Sequence, residues 1–135
     1  MERDLRFSDA LSEGDLRQAW TWIAASYWAK GLEWERFRRS VEHSVAVGAF
    51  HGEELVGFAR VMTDFARSAR LSDVFVVPTM RGQGVAVRLV ATVLDHPKLR
   101  DVPSWTLATK DAHGLYERFG FRTLDDPNYT MQLNR

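Results

Sequence analysis

Apolar residues recur along this chain with two different periods, and the change of period divides it into segments. Leu16, Ala19, Trp20, Ile23 and Tyr27 follow helical spacing, which predicts a first helix running until Gly31. Ser12 with Asp15 three residues later has the pattern of a capping arrangement at its start. Trp34, Phe37 and Val41 repeat the spacing on a shorter scale, with Arg36, Arg38 and Arg39 on the other side, and predict a second helix.

Residues 45–50 and 55–62 flank the polar turn 51–54 and read as a β-hairpin. Residues 71–77 form a further β run, nearly continuous in hydrophobicity as suits a strand covered on both faces, and Pro78 ends it. Arg81-Gly82-Gln83-Gly84 then turns the chain into a helix whose face is Ala86, Leu89, Val90, Val93 and Leu94, stopped at His96-Pro97. Residues 105–109 predict a strand, and residues 112–119 a helix capped by Asp111 and ended by Gly120. Residues 121–124 and 129–133 predict two closing strands. With a short strand at Leu5-Arg6-Phe7, the order is β-α-α-β-β-β-α-β-α-β-β. Hairpins followed by strand-helix-strand crossovers imply a mixed, α+β-like α/β fold. Its twisted, mostly antiparallel central sheet has about six to seven strands, with helices on both faces. No linker or repeat interrupts the pattern, so residues 1–135 read as a single domain.

Composition narrows the chemistry. The 135 residues carry 18 Lys+Arg against 18 Asp+Glu and no Cys. The balanced charge gives no global attraction to nucleic acid or an anionic membrane, and the missing Cys removes disulfides, thiolate metal sites and a cysteine nucleophile. The first thirty residues lack a basic start with an apolar run, and no membrane-length apolar stretch occurs, so the expected location is the cytoplasm. His43, His51, His96 and His113 show no metal-ligand spacing, and no metal is expected.

The candidate chemistry lies where a strand passes through glycines into a helix. Unpaired N–H groups at a helix start, at the positive end of its dipole, bind phosphate, and Arg81 adds positive charge at the rim. A Rossmann fingerprint would need glycine at Val87, and the Walker Gly-Lys-Ser/Thr is absent.

The run Val77-Pro78-x-x-Arg81-Gly82-x-Gly84-x-Ala86 resembles the acetyl-CoA loop of the GNAT superfamily of N-acetyltransferases, whose pattern is Gln/Arg-x-x-Gly-x-Gly/Ala. The later run Ala112-x-x-Leu115-Tyr116-Glu117-x-x-Gly120-Phe121 is similar to that family's second signature, a helix bearing a tyrosine and ending in Gly-Phe. The resemblance implies that the amides of Arg81, Gly82, Gln83, Gly84, Val85 and Ala86 hold the pyrophosphate of acetyl-CoA. It further implies that the main chain of Phe75, Val76 and Val77 pairs with the pantetheine arm, which enters a fork between that strand and the one ending near Thr109. Tyr116 matches the family's general acid: a phenol with a reference pKa of about 10 can protonate a thiolate of about 8.5. An N–H at Val76 or Val77 would polarise the thioester carbonyl.

The base stays open between Asp73, Asp64 and a water. Some family members carry glutamate where this chain has Ser72. His113, one turn before Tyr116, reads equally as a residue orienting the site and as a surface residue. Trp20 and Trp34 read as core, leaving Trp22 or Trp28 to face a substrate or a partner subunit. Arg36, Arg38 and Arg39 read as a solvated face that an anionic acceptor could also use. The implied activity is direct acetyl transfer from acetyl-CoA to a primary amine of a small molecule, by a homodimer. The rivals are a non-catalytic acyl-CoA-binding regulatory module, an enzyme acting on protein N-termini or lysines, and a longer acyl donor.

Overall fold

The structure, a computed structural model, describes residues 4–135; residues 1–3, at the start of the expected domain, lie outside the described residues. Strand β1 (Leu5–Ser8) is followed by helices α1 (Glu13–Ala24) and α2 (Trp34–Glu42). Strands β2 (Ser44–His51), β3 (Glu54–Thr63) and β4 (Ser68–Val76) come next, then helix α3 (Val85–Leu94), strand β5 (Ser104–Thr106) and helix α4 (His113–Glu117). The strands form one sheet in the order β1-β2-β3-β4-β5. The pairs from β1 to β4 are antiparallel and β4–β5 is parallel, as the α3 crossover requires.

The apolar pattern explains the layering. Val56, Ala59 and Val61 of β3 pack with Leu89, Val90 and Val93 of α3. Leu55 and Phe58 of the same strand pack with Ala19 and Ile23 of α1 and Phe37 of α2. One strand thus serves two cores on opposite faces, which is why it reads as almost unbroken hydrophobicity. The capping box of α1 forms: the Asp15 N–H donates to Ser12 Oγ at 3.0 Å and the Ser12 N–H to Asp15 Oδ2 at 2.9 Å.

Four local expectations need correction. Helix α1 ends at Ala24 instead of continuing to Gly31. The Ser26 hydroxyl donates to the Ile23 carbonyl, and Gly31, at φ +81°, donates its N–H to the Ala24 carbonyl at 3.1 Å. The helix end is thus closed by a loop that carries Tyr27 and Trp28 outward. The expected strand at 105–109 is shorter, at Ser104–Thr106. Asp111 does not cap α4: the position is taken by Ala112, whose N–H donates to Thr109 Oγ1 at 3.0 Å.

The two closing strands at 121–124 and 129–133 do not form among the described residues, and the sheet has five strands rather than six to seven. Pro127 opens a 3-10 turn through Tyr129, with the Asp126 side chain accepting from the Asn128 N–H at 3.0 Å. Beyond it Tyr129, Met131 and Leu133 are exposed. Their alternation suits a strand, but no neighbouring strand satisfies their backbone.

Candidate active site

Strands β4 and β5 pair only from Ser68 to Arg70, opposite Ser104 to Thr106. Past Arg70 they diverge, and the opening holds a cavity of about 760 Å³. Ser72, Asp73 and Val74 line one side, Leu107 to Ala112 the other, with Tyr116 in the wall and Tyr27, Trp28 and Arg36 on the side of the α1–α2 loop and α2.

The opening starts from a bulge. Phe58 pairs with Phe75 and Arg60 with Ser72, so Asp73 and Val74 both stand opposite Ala59. Asp73 takes φ +54°, a left-handed conformation that Asp tolerates better than most residues, and the bulge re-aims its side chain. Asp73 Oδ2 accepts from Arg60 Nε at 2.8 Å and Oδ1 from Trp28 Nε1 at 3.0 Å. Arg60 Nη1 also donates to Ser44 Oγ at 3.1 Å, whose hydroxyl donates to the Ser40 carbonyl at 2.7 Å. With Arg60 and Asp73 side chains 12% and 9% exposed, this ion pair ties the bulge to β3, α2 and the aromatic loop. Both oxygens of the proposed base are therefore already accepting hydrogen bonds.

The pair supports a stability prediction. Asp73→Ala strands a mostly buried guanidinium and should cost about 3 kcal/mol in chemical denaturation, near the low end for breaking a buried pair. Asp73→Asn keeps an acceptor and a residue suited to the left-handed backbone, so it should cost less. Adding Arg60→Met to Asp73→Ala should recover part of the loss.

Asp64 is elsewhere. Its Oδ1 accepts the N–H groups of Ala66, Arg67 and Ser68 at 2.8 to 3.2 Å in the β3–β4 turn, and these bonds hold its pKa down at about 2. It does not line the cavity, and a carboxylate stabilised in this way is a poor proton acceptor. Tyr116 is buried and meets the Phe121 ring edge to face at 6.0 Å between centroids. Burial raises its phenol above the usual value of 10.0.

The backbone of β4 discriminates among the residues expected to meet the cofactor arm. The Val77 N–H donates to the Val56 carbonyl at 2.9 Å, so it is committed to β3. Antiparallel alternation then turns the N–H and C=O of Val76, opposite Gly57, toward the open edge and returns Phe75 to its partner Phe58. The Val76 carbonyl accepts from Arg81 Nε at 2.8 Å, and the Arg81 guanidinium lies over the Phe75 ring at 5.3 Å. Arg81 thus folds back onto the strand end, while Gln83 Nε2 donates to the Thr79 carbonyl at 3.2 Å. Gly82 and Gly84 have φ +78° and +82°, and a Cβ at either would meet open space. Arg88 is the first residue of α3 bonded back to the loop, to the Gly84 carbonyl, which leaves the N–H groups of Val85, Ala86 and Val87 at the free helix start.

Trp20 and Trp34 pack together, 5.8 Å apart, and the Trp20 indole donates to the Leu32 carbonyl. Trp22 stacks on Phe75 at 5.1 Å, and Trp28 lines the cavity. Arg38 is tied to Glu35 and Glu42, whereas Arg36 faces the cavity. His113 is exposed and does not line the cavity. Arg60, Arg70 and Lys110 went unnoticed in the pattern of apolar positions. Arg60 had one signal, a cation within the apolar run of β3, but its partner emerges only from the β3–β4 register.

Among the described residues, no group of three or more His, Cys, Asp or Glu is placed to hold a metal ion, and no helix is long and apolar enough to cross a membrane. Residues 9–121 match the model of the acetyltransferase (GNAT) family. An uncharacterized N-acetyltransferase, ycf52, of Gracilaria tenuistipitata var. liui is 33% identical over 75 residues, which cover 55% of this chain and 40% of that protein. The chain therefore matches less than half the length of this curated relative. A crystal structure from Xanthomonas campestris pv. campestris, described as belonging to the GNAT family, superposes with a TM-score of 0.90 at 33% identity, over 100% of this chain and 96% of that one. A Clostridium acetobutylicum structure with acetyl-CoA has a TM-score of 0.72 at 16% identity, over 98% and 96% of the two chains, a likeness of fold.

Proposed function

The chain belongs to the acetyltransferase (GNAT) family, a family of acyltransferases, and on that premise we propose that it transfers an acetyl group from acetyl-CoA directly to a primary amine of a small molecule. The observation that carries the reading is the fork: β4 leaves β5 after Arg70, and Tyr116 stands in the wall of the resulting cavity. The glycine loop suits the cofactor, because a Cβ at Gly82 or Gly84 would project into open space beside free helix-start N–H groups.

Acetyl-CoA, when bound, supplies the activated acyl group as a thioester. The Arg81 N–H is taken by the Pro78 carbonyl at 3.3 Å, so within the Arg81-to-Ala86 loop the amides from Gly82 to Ala86 would hold the pyrophosphate, Thr109 would border the arm, and the open-edge N–H of Val76 would be available to polarise a thioester carbonyl. Tyr116 Oη, in the cavity wall, would supply the proton for the departing sulfur, and burial keeps that proton in place at neutral pH. Asp73, with each oxygen already accepting a hydrogen bond, orients Trp28 and Arg60 around the acceptor, and water removes the amine proton. The lack of cysteine favours direct transfer over a cysteine-bound acyl intermediate. The reading includes one domain over residues 1–135, a homodimer and a cytoplasmic location.

Calorimetric titration with acetyl-CoA, then a thiol-release screen over polyamines, arylalkylamines, amino acids and aminoglycosides, tests it. Saturable binding with turnover of one amine class is expected. Binding without turnover would overturn the small-molecule reading in favour of a regulatory module or a protein acceptor, and absence of binding would overturn the cofactor.

A further inference from the structure

We propose that the acceptor is an elongated amine with a carboxylate or phosphate at its far end, held by Arg36 of α2 and Arg70 of β4. The inference rests on the acyl-transfer reading only for which end of the cavity carries the amine. The cavity is lined by the cations Arg36, Arg60, Arg70 and Lys110 against the acids Asp73 and Asp111. Arg60 and Asp73 neutralise each other at 2.8 Å. Among the described residues, neither Arg36 nor Arg70 forms a salt bridge, and Lys110 lies over the Tyr27 ring at 5.1 Å. Even with Asp111 counted, the wall keeps an excess of positive charge, in a chain whose formal net charge is +0.

The placement of the charge gives the acceptor its shape. Arg70 stands at the last β4–β5 pair, while Val74, the last residue of β4 that lines the cavity, lies four residues further along. At about 3.3 Å per residue that separation is at most roughly 13 Å along the backbone, bridged in part by the arginine's own length. Tyr27, Trp28 and Leu32 line the same cavity, and the Trp28 indole is bonded to Asp73, which lies between Arg70 and Val74 on β4, so an acceptor running along the strand meets an apolar and aromatic stretch. Guanidinium groups match carboxylate and phosphate in geometry as well as charge. The same positive excess disfavours an ammonium in the cavity and lowers the proton affinity of the incoming amine. That suits a site where Asp73 is engaged by Arg60 and Trp28 and Asp64 sits in a distant turn.

The test uses the full chain and four probes with six carbons each: aminohexanoate, aminohexyl phosphate, aminohexanol and diaminohexane. Their binding is followed by the indole N–H resonance of Trp28, assigned with Trp28→Phe. The anionic probes should bind roughly 10-fold to 100-fold more tightly than the alcohol, the scale of one charge-assisted hydrogen bond, and diaminohexane most weakly. Arg36→Gln and Arg70→Gln should each remove most of that preference, whereas Arg39→Gln, outside the cavity, should retain it. The tighter of the two anions identifies the group. Equal binding of alcohol and anions, no binding of any probe, or a preference untouched by both glutamine variants would overturn the proposal. Acetyl-CoA binding without anion selectivity overturns this inference alone, and anion selectivity without acetyl-CoA binding overturns the acyl-transfer reading alone.

Discussion

Tyr116→Phe is expected to lower kcat by roughly 10²-fold or more, the usual contribution of a positioned general acid, while acetyl-CoA binds with essentially its wild-type Kd. The substitution removes one oxygen and keeps the ring, so the edge contact with Phe121 at 6.0 Å survives and the buried packing of α4 is retained. Because burial raises the phenol above 10.0, its acid form persists through neutral and mildly alkaline solution. Wild-type kcat should therefore fall on the alkaline side only above the ordinary tyrosine range, and the variant should lack that limb. The sign for stability follows from the same shift. In the range just above pH 10 the unfolded chain has released this proton while the folded chain still holds it, so Tyr116 favours the fold below that range and loses its contribution as the pH rises through the folded value. A kcat within a few-fold of wild type would reduce Tyr116 to a packing residue; a large rise in acetyl-CoA Kd would make it a binding residue instead.

The parts of this molecule legible in its sequence are those where one strong local signal coincides with the final packing. The hairpin β2–β3, the strand β4 and the helix α3 were legible because burial on two faces demands unbroken apolar runs and a crossover demands a helix. The capping box at Ser12 and Asp15 is equally local. The end of α1 was not, because Tyr27 continues the helical spacing by coincidence while Ser26 and Gly31 turn the chain off at Ala24. The alternation of Tyr129, Met131 and Leu133 failed for the opposite reason: a strand needs a neighbour, and periodicity does not say whether one is there. In the candidate site, Tyr116 and Asp73 come to one cavity while Asp64 caps a turn. The engagement of Asp73 depends on a bulge and on the register that sets Arg60 beside it, which are properties of two strands together. The cationic wall is less legible still, since Arg36, Arg70 and Lys110 come from α2, β4 and the β5–α4 loop.

Gly84→Leu is expected to abolish measurable acetyl-CoA binding, at least about a 100-fold rise in Kd, since two lost charge-assisted hydrogen bonds to phosphate already amount to that, while the protein stays folded. Two effects act at this position, and they separate. The backbone is left-handed at φ +82°, so any L side chain costs roughly 1–2 kcal/mol of strain, a melting-temperature drop of about 3–10 °C for a domain of this size. A Cβ meets no atom within 4 Å, so further bulk adds little strain but fills the space in front of the free N–H groups at the start of α3. Gly84→Ala should therefore show nearly the same loss of stability as Gly84→Leu with a much smaller loss of affinity. If affinity instead tracks melting temperature through both variants, the loop acts through its backbone shape and not as an open cradle. If Gly84→Leu binds acetyl-CoA as the wild type does, the pyrophosphate lies elsewhere, and the assignment of the Arg81-to-Ala86 loop fails even though the fold stands.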